Sequence, residues 1–358
     1  MLTRAQREAA VVSRSTPKNL ERELTSLEQD FRVGREREPR FAYEPASSVD
    51  LVQTLARAAT TLRAFAHPLA HLYADRADEL ALELRLCATI GTAAFRELAR
   101  ERFATSSTLI AAADELAAAW IAQSQSTEGA AGGVSSAEPR VRSCDLADPR
   151  SLHCRLAAEL GRRKWAVRIV VTDRIASLAA TGDGVLLVAK GKMLTLRDIE
   201  RTVLHELEGH AAPRERATGI ALGLFRLGTA RGTDDQEGRA LWLEERAGHL
   251  DTLRRRELAL RHRACRTVDA GATFVETSRA LVTDGAELEV ALRIAARAHR
   301  GGGFGRERVY LPAYLATRAK LAREPDLDRV LGSGRVALDA ARALEPWLEV
   351  RPDGATPR

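Results

Sequence analysis

Thr195-Leu-Arg-Asp-Ile-Glu-Arg-Thr-Val-Leu-His205-Glu206-Leu-Glu-Gly-His210 is the stretch on which the reading of this chain turns. The Thr195 hydroxyl can cap the first free amides of a helix, and Asp198 sets a carboxylate in its first turn. The pattern therefore predicts a helix from about Leu196 through His210. Ile199, Val203 and Leu204 suggest that it is buried, where unpartnered polar groups are costly. The two histidines stand five residues apart. On a regular α-helix positions four apart lie about 40° apart around the axis, whereas positions five apart diverge by about 140°. Two imidazoles at this spacing converge only if the helix is distorted. A π-type turn, with its i→i+5 bonding, does that. Gly209 can ease such a turn, so a bulged or ended helix is expected between Glu206 and His210.

Two histidines that do converge suggest a metal. The common metallopeptidase helix is His-Glu-x-x-His; here the motif is one residue longer. A catalytic zinc site takes three protein ligands and keeps one position open. The third ligand should lie downstream, among Asp234, Asp235, Glu237, Glu244, Glu245 and His249. Glu237 falls in the first turn of a helix beside Gly238, which permits close approach. Glu244 lies two turns further on the same face and suits a supporting place behind a ligand. Glu206 adjoins His205, and a carboxylate there can accept a proton from an attacking water and hand it to a leaving amine.

Upstream of the motif, Trp165–Val171 and Val185–Ala189 are β-branched and read as two strands of a loose hairpin, with Thr181–Gly184 as a turn. In metallopeptidase folds of this kind an edge strand such as Val185–Ala189 often pairs with extended substrate, which is an argument from analogy. Downstream, helices are expected over Pro213–Leu227 and from Thr233, capped by Thr233 or Asp234, to about Arg254. The N-terminal region reads as helices near 17–33, 48–65, 68–86, 92–103 and 108–123. Ser124–Pro139 is small, polar and glycine-rich, as a flexible loop is. The expected organisation is a helical region over 1–123, a linker over 124–150, a catalytic region over 151–345 and a disordered tail over 346–358. The first dozen residues are also expected to be poorly ordered. The fold class is α+β, mostly helical, with a small sheet beside the motif helix.

Composition fits this picture. Hydrophobic residues make up 45% of the 358 positions and aromatics only 4%, so the core must be built from Ala, Leu and Val, which suits packed helices. The net charge of +6 arises from nearly balanced acids and bases. It reads as a solvated arginine-rich surface and not as a nucleic-acid footprint. No apolar signal core and no uncharged membrane-length run is present, and the four cysteines form no Cys-x-x-Cys pair. A cytoplasmic protein in a reducing compartment is expected, without nucleic-acid or membrane partners. His67, His71, His153, His249, His262 and His299 have no ligand spacing to the motif.

The ordered set His205-Glu-Leu-Glu-Gly-His210, Gln236-Glu-Gly-Arg-Ala240 and Arg297-Ala-His-Arg-Gly-Gly-Gly-Phe304, leading into Val309-Tyr-Leu311, resembles the microtubule-associated tyrosine carboxypeptidase family. Pro17-Lys-Asn-Leu-Glu-Arg-Glu and Pro39-Arg-Phe-Ala-Tyr43 also resemble it, so the likeness spans about 17–320. It implies a zinc carboxypeptidase of zincin-like fold that removes a C-terminal Tyr or Phe from a protein or peptide, with Zn2+ on His205, His210 and Glu237. Two departures stand out. Arg239 replaces the leucine of Gln-Glu-Gly-Leu-Ala, and Phe304-Gly-Arg-Glu307 replaces Phe-Thr-Lys-Asp. A carboxypeptidase must hold a terminal carboxylate, for which a guanidinium fork is suited; Arg300 and Arg306 flank the glycine turn and are the candidates. Tyr310 could bond the substrate or its oxyanion. The alternative is a catalytically inactive binding or regulatory protein on the same scaffold.

Overall fold

The structure, a computed structural model, describes residues 1–130, 138–173, 175, 177–182, 184–303 and 305–349. Helices dominate. The ones that position the site are α1 (Leu20–Arg32), α2 (Pro68–Thr89), α3 (Ala93–Arg102), α4 (Ser107–Ala130), α5 (Leu196–Leu204), α6 (Gly232–Arg246), α7 (Thr252–Asp269), α8 (Leu288–Gly303) and α9 (Tyr310–Arg323). Strands β1 (Arg140–Arg142), β2 (Arg168–Thr172), β3 (Ala179–Thr181), β4 (Val185–Ala189) and β5 (Met193–Thr195) form two small sheets. No helix of the described residues is long and apolar enough to cross a membrane. Cys87, Cys144, Cys154 and Cys265 are all free thiols.

The expected hairpin is replaced by a crossover. β2 pairs with β4 in parallel, and β3 inserts on the far side, antiparallel to β4. β4 is therefore the central strand of the order β2-β4-β3, and its edges are used within the sheet. The edge nearest the motif belongs to β3, whose last residue, Thr181, was expected to open a turn. Part of the expected linker is also structured. α4 continues to Ala130, and β1 pairs antiparallel with β5, setting Arg140 opposite Thr195; 131–137 lie outside the described residues.

At the chain start Leu2–Glu8 is a helix whose Ala5 is fully buried, because that face packs on α2. At the other end Trp347 and Leu348 pack on the cluster around Leu224, Leu327 and Leu344, so the ordered chain runs past 346. Residues 350–358 lie outside the described residues. The expected helix over Pro213–Leu227 is two pieces, Ala212–Thr218 and Leu224–Leu227. α6 starts at Gly232 after Arg231 in a left-handed conformation (φ 61°) and ends at Arg246. Asp234 does not cap it with its side chain, because that carboxylate is spent on Arg102 at 2.7 Å.

The N-terminal helices and the motif region share contacts. α4 packs on α7 and α9, and α6 packs on α9 and on the motif. Gly238 is needed for the first of the α6 contacts: a Cβ there would meet the Ala313 backbone at 2.4 Å. The Pro39–Tyr43 segment also reaches the glycine turn. The Gly301 N–H donates to the Tyr43 hydroxyl at 2.8 Å, and α8 leaves helical geometry at Arg300 (ψ 148°).

One half-buried histidine gives this packing a pH dependence. His299 lies 2.8 Å from the Thr277 hydroxyl and edge-on to Phe274, and burial, with Arg96 nearby, pushes its pKa down to about 4. A depressed histidine stabilises the fold above its unfolded pKa of 6.5 and loses that contribution as pH falls toward 4. Between pH 7 and pH 4.5 the wild type should lose about 2–3 kcal/mol more than His299→Gln in urea unfolding. Equal losses in the two proteins would remove His299 as the cause.

Candidate metal centre

The capping box that begins α5 forms as expected: the Asp198 N–H donates to the Thr195 hydroxyl at 3.1 Å, and Asp198 Oδ2 accepts from Thr195 N–H at 3.3 Å. The helix keeps α geometry to Leu204 and then widens into a π turn over His205–Ala211. The five-residue spacing is accommodated as the distortion argument requires. Gly209 lies inside this turn and also has a role that was not expected. Its backbone is ordinary; what it provides is room, since a Cβ there would lie 2.7 Å from the Ala240 Cβ on α6. Without that close approach, α6 could not bring Glu237, which falls in its second turn and not its first, to the histidines.

His205, His210 and Glu237 meet. One ligand atom from each lies within 4.8 Å of the others, so the three could hold a metal ion. The two Nε2 atoms are 3.2 Å apart, and Glu237 Oε2 is 3.6 Å from His205 Nε2 and 3.7 Å from His210 Nε2. Two nitrogen ligands at about 2.05 Å in a tetrahedral shell would be about 3.3 Å apart. Of the other acids considered, Asp235 accepts from Leu338 N–H, Glu245 faces Arg318, and Glu244 lies behind His205.

The outer partners decide which nitrogen faces inward. Glu244 Oε1 is 2.7 Å from His205 Nδ1, and Gln236 Oε1 is 3.1 Å from His210 Nδ1. Each oxygen is an acceptor, so each Nδ1 carries a proton and the two Nε2 atoms face each other. At 3.2 Å they share one cation, a proton on one ring or a metal between them. A nitrogen–nitrogen–oxygen set with both imidazoles anchored from behind suits zinc.

The field has the same sign. Burial lowers the affinity of His205 for a proton, but Glu237 and Glu244 outweigh it and raise its pKa to about 10. Burial raises the Glu237 carboxyl, yet His210 and Arg306 hold it well below the usual carboxylate range. Glu244 is brought down to about 2, its burial overcome by Arg254 and then His205. The site thus concentrates carboxylate charge on buried imidazoles and draws in positive charge, whether a proton or a metal.

Glu206 is buried beside the cluster, and the Thr181 hydroxyl on β3 donates to its Oε2 at 2.7 Å. Arg306 Nη2 donates to Glu237 Oε1 at 2.8 Å, and its Nη1 to the Tyr310 hydroxyl at 3.1 Å, so both join the cluster. Arg300 faces Glu307 at 3.8 Å and a small cavity shared with Thr16, Pro17 and Leu20. Sequence reasoning gave no role to Gln236, Thr181 or Arg254. Gln236 stands beside Glu237 in the quoted motif and could have been noticed. Thr181 sits in a strand too short to show a pattern.

Glu244 is fully buried and takes both Arg254 Nε (2.9 Å) and Nη2 (3.0 Å) besides His205. Removing one member of a buried charge pair strands the other. Glu244→Ala should cost about 3–5 kcal/mol in urea unfolding, with Glu244→Gln losing less; a loss below about 1 kcal/mol for the alanine variant would contradict this arrangement.

A family model described as microtubule-associated tyrosine carboxypeptidase matches residues 28–350, which takes in the whole cluster and its partners. No curated protein matches the sequence.

Proposed function

The chain belongs to the microtubule-associated tyrosine carboxypeptidase family, and from that premise we propose that it is a zinc-dependent carboxypeptidase that removes a C-terminal Tyr or Phe from a protein or peptide. The observation that supports this most is the convergence of His205, His210 and Glu237, with Glu206 alongside. In this reading the scaffold is zincin-like, with the motif helix under a small sheet and β3 as the strand overhanging the site. Four free thiols agree with a reducing, cytoplasmic setting.

When bound, zinc supplies a Lewis acid for the scissile carbonyl and makes water more acidic. Glu206 accepts the proton of the attacking water at its carboxylate and delivers it to the departing amine. Thr181 holds one oxygen of Glu206 and leaves the other for that transfer. Glu244 and Gln236 fix the inward tautomers of His205 and His210. Arg306 is the guanidinium at the cluster, and we assign the substrate's terminal carboxylate to it, with Tyr310 bonding the substrate or the oxyanion. Arg300 lies one ion pair further out and supports Glu307, which in turn accepts from Arg261 at 2.5 Å.

Zinc-loaded protein should release single Tyr or Phe residues from synthetic peptides, followed by mass spectrometry. Glu206→Gln should lower kcat by about 100- to 10,000-fold while zinc remains stoichiometric. Release of internal fragments, or full activity in Glu206→Gln, would refute the proposal.

A further inference from the structure

The π turn leaves one carbonyl without its backbone donor. Within the turn, amides bond five residues back: the Ala212 N–H donates to the Leu207 carbonyl. By the same count the Glu208 carbonyl should receive the amide of residue 213. That residue is Pro213, which has no N–H. A carbonyl without a donor is destabilising where water is partly excluded, and here the gap, at half-buried Glu208, falls between the two histidines.

Arg239 fills it. Its Nη1 donates to the Glu208 carbonyl at 3.1 Å, and its Nε donates to Asp328 Oδ1 at 2.7 Å. The residue is 5% exposed, so the contact is shielded from water. Arg239 stands two residues after Glu237 on α6, and the next residue, Ala240, is the one that touches Gly209. A single helix therefore carries both the third side chain of the cluster and the donor that completes the turn bearing the other two.

We propose that Arg239 is a positioning residue: by completing the π turn at Glu208 it sets the register of His205 and His210 against Glu237. As far as metal binding goes, this rests on the metal reading above. Asp328 fixes the guanidinium plane, and Pro213 makes the side-chain donor necessary.

The relation to Pro213 supplies a suppressor test. In metal-free protein, Arg239→Leu should speed hydrogen exchange at the Ala211 and Ala212 amides by roughly tenfold, and should weaken Zn2+ binding, measured by chelator competition, roughly 10- to 100-fold. Pro213→Ala restores an N–H at the position facing the Glu208 carbonyl, so Arg239→Leu/Pro213→Ala should recover most of both. If Arg239→Leu alone does not fold, the double variant is read instead, and its failure to regain the fold overturns the proposal. Wild-type exchange in a folded Arg239→Leu protein, or no recovery on adding Pro213→Ala, also overturns it. A wild type that binds no Zn2+ would sink the metal reading, while the exchange measurements would still decide the role of Arg239.

Discussion

Two imidazoles five residues apart on one helix must be made to point the same way, and the rest of the site follows from that constraint. A regular helix would separate them by about 140°. The chain spends a π turn over His205–Ala211 to bring the Nε2 atoms to 3.2 Å. Such a turn is rarely stable by itself. It is held by α5, whose capping box fixes its start, and by α6, whose Ala240 lies against Gly209.

Charge completes what packing begins. Glu237 is shared between the cluster and Arg306, and Arg306 also bonds Tyr310. Behind His205, Glu244 is pinned by Arg254; further out, Glu307 is held by Arg261 and Arg297, and although burial raises its carboxyl, these cations outweigh it and leave it far below the usual range. Glu237, Glu244 and Glu307 each have an arginine partner, which is the arrangement that makes ionised groups tolerable away from water. The arginine-rich composition is thus partly internal: Arg102, Arg239, Arg261 and Arg300 are buried, a use that overall charge does not disclose.

The motif, its distortion and the main helices were legible in the sequence because each depends on local spacing or on periodicity. Pro68–Thr89 and Ser107–Ala130 carry enough turns to show a pattern, and the His205–His210 spacing demands a distorted helix, either bulged or ended. What failed depends on distant pairing. β3 is three residues long, so nothing near Thr181 announced that it would take the outer edge of the sheet and push β4 to the centre. The cap expected from Asp234 was lost to Arg102, more than a hundred residues away in sequence. Gly209 was singled out for the turn, but its contact with α6 is a further requirement that local backbone arguments do not contain.

Zinc K-edge absorption spectroscopy on the zinc-loaded protein tests the central claim most directly, because it reports the donors themselves. The account predicts two imidazole nitrogens at about 2.0–2.1 Å with the remaining shell oxygen, and one imidazole fewer in His210→Ala. A shell with one imidazole, with sulfur, or unchanged by His210→Ala would contradict it.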